Sequence, residues 1–306
     1  MSIRIETVNI IGMGALGLLY GSMIAEHLGP EHVSYVMDGE RYERHREDVY
    51  RINGKPVRFP KVRAEDAGSC GLLVVAVKYT DLDKALETMG TSIGEDTIII
   101  SVMNGISTEG IIGERYGMDR VIHTVAQGMD AMRFGTGLTF TKSGQLHVGI
   151  DDAAKSEKLK RLTEFFDAAG IAYIVEEDIK YRVWSKFMIN VGLNQTCMVY
   201  GTNYAGVTAP ESLEYMTMVS AMREVMLLAR AEGVRLTEED LKFYLSLLKT
   251  FSPDATPSMG QDRINKRPSE VELFAGTVIR LAKKHGILVP TNEYLYRRVH
   301  EIEAEY

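Results

Sequence analysis

The chain has 306 residues, room for about two domains of ~150 residues each and for a core that needs no disulfide staples. Thirty-five basic against 42 acidic residues leave a net charge of −7, and with no basic run this excludes broad binding to nucleic acid or to an anionic membrane and points to a small partner. At 45% apolar and 25% charged residues, the composition is that of a globular protein, not a disordered one.

Up to about residue 177, short β-branched apolar runs alternate with helical patterns: Val8–Ile11, Val33–Met37, Leu72–Val77, Thr97–Val102 and Val121–Val125. This is the βαβ rhythm of a parallel, Rossmann-type doubly wound sheet. The first run leads into Gly12-Met13-Gly14-Ala15-Leu16-Gly17 and then into a helical pattern, the context of a dinucleotide fingerprint. Gly12 permits a tight turn, Gly14 lets backbone approach a pyrophosphate, and Gly17 lets the helix pack close to the strand. Free N–H groups at the helix start meet the anion.

The second run ends at Asp38, 21 residues after Gly17. A carboxylate there accepts hydrogen bonds from ribose hydroxyls and repels a 2′-phosphate, which favours NAD. Arg41, Arg44 and Arg46 just beyond either turn toward a 2′-phosphate, as NADP would need, or form a solvated helix face. The choice between NAD and NADP is therefore open. Residues 137–150 read as an antiparallel hairpin at the sheet edge, with LTFTK and QLHVGI around a Ser143-Gly144 turn. A helix over Ala154–Ala169 stops at Gly170, and IAYIV makes one more strand.

Beyond Glu176 long amphipathic segments take over: Ile179–Tyr200, Leu213–Glu232, Thr237–Thr250 and Ser269–His285. The expected division is a dinucleotide domain over 1–177 and an all-α domain over 178–306, closely packed with a ligand cleft between them. Cys70 and Cys197 are too few for a four-ligand zinc site and read as buried free thiols, so no metal is expected. The first residues lack a signal-peptide pattern and no window approaches ~18 apolar residues, so a cytoplasmic protein without membrane spans is expected.

In the segment YRVWSKFMINVGLNQTCMVYG, Lys186, Asn190 and Asn194 recur every four residues and share one helix face among apolar neighbours. Two asparagines and a lysine in such company either line a site or form a polar seam satisfied by backbone carbonyls. A partly desolvated lysine is a usable proton donor. Beside a nicotinamide cofactor, that is the chemistry of carbonyl reduction, in which Lys186 protonates the developing alkoxide.

With these features the chain resembles the ketopantoate reductase (2-dehydropantoate 2-reductase) family along nearly its whole length. The matching pieces are GMGALG at 12–17, VAVKYTD at 75–81, SVMNGI at 101–106, WSKFMINVGLN at 184–194, PSMGQD at 257–262 and SEVELFAGTVIRLAKKHGILVPTN at 269–292. The resemblance implies a Rossmann domain followed by a helical domain like the C-terminal one of 6-phosphogluconate dehydrogenase. It implies reduction of 2-dehydropantoate to (R)-pantoate with NAD(P)H, a step toward pantothenate and coenzyme A. Lys186 would be the general acid, Asn190 and Asn194 would hold the substrate's polar groups, and Ser258 would bind its carboxylate.

Glu270 would orient the substrate hydroxyl or Lys186. On sequence alone Glu270 suits a helix N-terminus equally well, Ser258 suits a cap or turn, and Glu272 is the candidate for the noncatalytic acid. Lys78 and Asn104 follow the apolar runs LLVVAV and IIISVM, at the strand ends where open α/β sheets bind cofactor and substrate. Family members commonly carry a basic residue for the NADP 2′-phosphate where this chain has Asp38, and glutamine where it has Thr80. Two other readings stand beside this one: a reductase of another branched 2-oxo acid, and a noncatalytic dinucleotide-binding sensor. A homodimer is compatible with all of them.

Overall fold

The computed structural model describes residues 4–306, and their backbone falls into two compact units. One holds the described residues up to Asn104 together with Thr108–Ile179; the other holds Gly105–Ser107 with Lys180–Tyr306.

In the first unit, β1 (Val8–Ile11), α1 (Ala15–Leu28), β2 (Val33–Met37) and α2 (Gly39–His45) are followed by three short strands, β3 (Tyr50–Ile52), β4 (Lys55–Val57) and β5 (Lys61–Arg63). Next come β6 (Leu72–Val75), α3 (Leu82–Met89), β7 (Ile98–Ser101), α4 (Thr108–Tyr116) and β8 (Val121–Met129). The unit closes with β9 (Met132–Phe134), β10 (Gly137–Thr139), β11 (Ser143–Gly149), α5 (Ser156–Ala168) and β12 (Tyr173–Val175). Eight strands form one sheet in the order β12-β11-β8-β7-β6-β1-β2-β5.

From β5 to β8 every pairing is parallel, and β11 alone turns the sheet mixed by running antiparallel to β8. The order reverses at β1, with β2 on one side and β6 on the other, which is the topological switch point where such sheets bind ligands. Alternate residues enter two separate cores, Ile10, Tyr35, Val74 and Ile100 on one face and Ile11, Val36, Leu73 and Ile99 on the other. Burial on both faces is why these strands read as continuous apolar runs.

The expected hairpin over 137–150 does not form. β10 instead pairs with β9 and β3 in a second, four-stranded sheet, while β11 pairs with β8 from Ser143↔Met129 to Gly149↔His123. Ser143 and Gly144 therefore lie inside a strand. The turn sits earlier, where the Asp130 carboxylate accepts the N–H groups of Thr141 and Lys142, both at 2.8 Å. These bonds, with the Thr141 hydroxyl, hold the Asp130 carboxyl down at about 2.

The second unit is helical: α6 (Ile179–Tyr200), α7 (Tyr204–Val207), α8 (Leu213–Ala231), α9 (Glu238–Leu248), α10 (Ser258–Ile264), α11 (Thr277–His285) and α12 (Pro290–Glu303). The segment expected as one helix over 269–285 opens with a π turn, Glu272–Gly276, before α11 begins. The expectation lacked α7, α10 and α12.

A buried polar chain joins these helices. On α8, Glu224 accepts the first N–H groups of α12, Thr291 at 2.7 Å and Asn292 at 2.9 Å, together with the Asn292 amide at 2.7 Å. Asn292 in turn accepts from Gln195 of α6, whose Oε1 takes the Ala275 N–H of the π turn. A carboxylate at a helix N-terminus meets both the unpaired N–H groups and the positive end of the dipole. Replacing Glu224 with Gln leaves a buried donor facing donors. The variant should lower the stability of the helical unit by about 1–3 kcal/mol, read as a drop in the urea midpoint; an unchanged midpoint would contradict this role.

Candidate functional site

At the end of β1 the chain turns at Gly12, whose φ is +106° and where a Cβ would stand 2.4 Å from the Ala76 carbonyl oxygen. Only glycine fits. One turn into α1, a Cβ on Gly17 would lie 2.1 Å from the Gly12 carbonyl oxygen, so the helix and the strand end touch through backbone. The Tyr35 hydroxyl of β2 donates to the Gly17 carbonyl at 2.9 Å and fixes the helix from the other side.

Gly14 differs from both. A Cβ there would meet only the Ala76 oxygen at 3.6 Å, an ordinary contact, so nothing within the chain requires its absence. Gly14 is also the N-cap of α1, and no side chain caps that helix. An uncapped helix start with Cβ-sized room beside it is the arrangement that a pyrophosphate fills. Met13, Ala15 and Leu16 complete the loop, and the Met13 carbonyl accepts from the Arg133 guanidinium at 2.5 Å. Arg133 was not legible as a site residue, because 120 positions of sequence separate it from the loop it clamps.

Asp38 directly follows β2 and caps α2: its Oδ1 accepts the Arg41 N–H at 2.9 Å while Lys84 Nζ stands 3.3 Å from Oδ2. Partial burial opposes its ionisation, but the Arg41 N–H and the Lys84 ammonium outweigh this and hold the carboxyl below its usual value. The neighbouring arginines are engaged with acids: Arg44 with Glu40 at 2.5 Å, Arg46 with Glu43 at 3.4 Å, and Arg41 with Asp81 at 3.9 Å. Lys78 and Asn104 stand three residues beyond β6 and β7. The loop at 12–17, Lys78 and Asn104 thus share the C-terminal edge of three adjacent strands, β1, β6 and β7. Thr80 is exposed next to Asp81.

In the helical unit, α6 carries Lys186, Asn190 and Asn194 on one face. Lys186 and Asn190 are half-buried and Asn194 is buried. The Asn194 carbonyl accepts the Ser258 hydroxyl at 2.8 Å and the Met259 N–H at 3.4 Å, so the start of α10 is docked on this stripe. The Asn194 partners are a hydroxyl and a backbone N–H, not the backbone carbonyls of the polar-seam reading. Ser258 does not act as a side-chain cap; Pro257 occupies the N-cap position of α10.

Around Glu270 the local work is shared out. The Ser269 hydroxyl accepts the Val271 N–H at 3.3 Å, so capping this turn falls to Ser269. Glu272 accepts the Tyr296 hydroxyl at 2.5 Å and stands 3.4 Å from His300 and 3.9 Å from Arg280. Glu270 precedes the π turn, which packs on α6 through Phe274 against Phe187, with ring centroids 6.5 Å apart. Both cysteines are buried thiols with raised values, Cys70 at about 11 and Cys197 at about 12, because burial penalises the thiolate. No helix among the described residues is long and apolar enough to cross a membrane.

A glycine-rich turn into an uncapped helix start at the switch point of a Rossmann sheet, followed by a helical unit, defines a class of dinucleotide-binding oxidoreductases. The model named Ketopantoate reductase PanE/ApbA matches residues 8–151, and the model named Ketopantoate reductase PanE/ApbA C terminal matches residues 178–303. The chain belongs to the ketopantoate reductase family.

Among its relatives are 2-dehydropantoate 2-reductases of Aquifex aeolicus, 28% identical over 95% of this chain and 94% of that one, and of Lactococcus lactis, 26% identical over 97% of each. Solved structures share the fold. A D-mandelate dehydrogenase in complex with NADH and anilino(oxo)acetate superposes with a TM-score of 0.85 at 23% identity, covering 98% of both chains. A dimeric ketopantoate reductase from Staphylococcus aureus superposes with 0.80 at 21% identity, covering 98% of this chain and 99% of that one.

The two glycines separate folding from binding. Gly17→Ala should cost about 2 kcal/mol or more, because backbone lies where its Cβ must go. Gly14→Ala should stay within about 1 kcal/mol of the parent in stability, yet weaken dinucleotide binding at least ~10-fold in a fluorescence titration. Unchanged binding by Gly14→Ala would contradict the loop's role.

Proposed function

We propose that the chain reduces the 2-oxo group of 2-dehydropantoate to the (R)-2-hydroxy acid pantoate, with NADH as the preferred reductant, and that it works as a homodimer. The observation that carries the reaction is the α6 stripe, on which Lys186 and Asn190 lead to an Asn194 held in place by Ser258 and Met259. Its support from relatives is that the curated ones bear the name 2-dehydropantoate 2-reductase.

A bound nicotinamide dinucleotide supplies the hydride that adds to the carbonyl carbon. The Lys186 ammonium gives a proton to the carbonyl oxygen, so that C=O becomes CH–OH, and solvent later reprotonates the lysine. Asn104, Asn190 and Asn194 offer amide N–H groups to the substrate's oxygens. The Ser258 hydroxyl swings from Asn194 to the substrate carboxylate, while the Met259 N–H keeps Asn194 in place. Glu270, relieved of capping by Ser269, orients Lys186 or the new hydroxyl. In the other unit, Gly12 to Gly17 and Lys78 hold the dinucleotide.

NADH is preferred because Asp38 presents a carboxylate, held ionised, at the end of β2, while Arg44 and Arg46 are engaged by acids of their own helix region. The dimeric assembly named for the Staphylococcus aureus relative is extended to this chain.

Lys186→Ala should lower kcat with 2-dehydropantoate by roughly 100- to 10,000-fold, the range for loss of a general acid. Equal rates in variant and parent would refute the proton donor, and faster turnover of phenylglyoxylate or another bulky 2-oxo acid in a substrate panel would refute the substrate. For the cofactor, kcat/KM should be at least ~10-fold higher with NADH than with NADPH, and Asp38→Ala should narrow the gap. A strong NADPH preference in the parent would overturn the role given to Asp38.

A further inference from the structure

The outer face of α8 carries what a solvated helix face should not. Leu213, Met216 and Leu227 are 58%, 52% and 54% exposed, and with Ser220, Arg223 and Arg230 they follow the 3-4 spacing of a helix–helix seam. These six positions span an arc of only about 100°, and the rest of α8, apart from Ala231 at its end, is buried or partly buried in its own unit. Beside the C-terminal half of α8 runs a groove of about 970 Å³ whose apolar lining includes Leu227, Val234, Leu236 and Pro290. The protruding pair Leu213 and Met216 lies on the N-terminal half of the same helix.

Charge is divided in the same way. Glu211 and Glu214 flank the start of α8, and Arg230 and Arg235 flank its end, with none of the four in an ion pair among the described residues. Arg223, at the middle, is already held by two hydrogen bonds to Glu238 at 3.1 and 3.0 Å. A knob and acids at one end, with a groove and bases at the other, form a surface complementary to its own copy turned through 180°. A two-fold contact needs that property.

We infer that α8 is the dimer interface, and that the occupant of the groove is a second copy of this chain. This rests on the homodimer reading above. The two α8 helices run antiparallel about an axis between Ser220 and Arg223, over a contact roughly 25 Å long. Met216 meets the partner's Leu227, and Leu213 enters the partner's groove near Val234 and Leu236. Glu211 and Glu214 face the partner's Arg230 and Arg235. Ser220 beside the axis is small enough to let the helices approach.

The test is the mass in solution, by light scattering and sedimentation, of the parent, Met216→Glu, Leu227→Glu and Glu214→Arg. The parent should have the mass of two chains. Each apolar-to-Glu change should weaken dimerisation roughly 30-fold or more, with helicity unchanged. Glu214→Arg should weaken it too, and mixing that variant with Arg230→Glu should restore a heterodimer. A dimer that persists in all three variants overturns this interface and leaves the dimer reading standing. A parent with the mass of one chain at every concentration overturns both, and so leaves the groove to another partner.

Discussion

The α/β unit depends on one close approach: α1 lies so near the sheet that two residues on its inner face, Gly17 and Gly21, have no room for a Cβ. At Gly17 the Gly12 carbonyl oxygen is in the way, and at Gly21 the Tyr35 hydroxyl stands 2.0 Å from where the Cβ would be. Because that hydroxyl also donates to Gly17, the sheet grips the helix through a buried polar contact as well as through packing. The consequence is positional. The uncapped start of α1 is delivered to the C-terminal end of β1, where the strand order reverses and Lys78 and Asn104 end the neighbouring strands. Parallel strands alone put their ends at one edge, and the glycine face brings the N–H groups of α1 close to the end of β1 as well.

In the helical unit, adjacent residues of α6 are given opposite work. Gln195 is fully buried and spends its amide on Val191, Asn292 and Ala275, joining α6 to α12 and to the π turn. Asn194, one position earlier and 100° around the helix, accepts from the start of α10 and belongs to the stripe of Lys186 and Asn190. A polar residue in an apolar helix is costly unless satisfied. Here one such residue serves cohesion, and the proposed function assigns its neighbour to the substrate. The π turn fits this division, since it begins two residues after Glu270 and itself carries the structural partners Phe274 and Ala275.

The parallel sheet, its five central strands and the glycine loop were readable because each is local: buried runs of four or five residues, a switch of period, glycines at fixed spacing. Asp38 as the end of β2 was equally plain, but its second task, capping α2, is a cap reading that cofactor reasoning passed over. The hairpin at 137–150 failed because a turn-like Ser143-Gly144 pair outweighed Asp130, whose three bonds to Thr141 and Lys142 place the real turn. β11 then pairs with a strand that lies earlier in the chain, which period-two patterning does not reveal. Helix α12 left a legible sign in Pro290 at its first turn, whereas Arg133 left none, since its use depends on a sheet pairing. Fold and cofactor loop are thus written locally, and the partners of the charged residues are written in tertiary structure.

The central claim is that this chain carries out direct hydride transfer to a 2-oxo acid. The most direct measurement is to run the reaction with 2-dehydropantoate and NADH deuterated at one or the other face of C4, and to read the product by mass spectrometry and proton NMR. The account predicts deuterium bound to the carbinol carbon of pantoate from one of the two labelled reductants and hydrogen from the other. Cofactor that binds but leaves no label in a 2-hydroxy acid would contradict it.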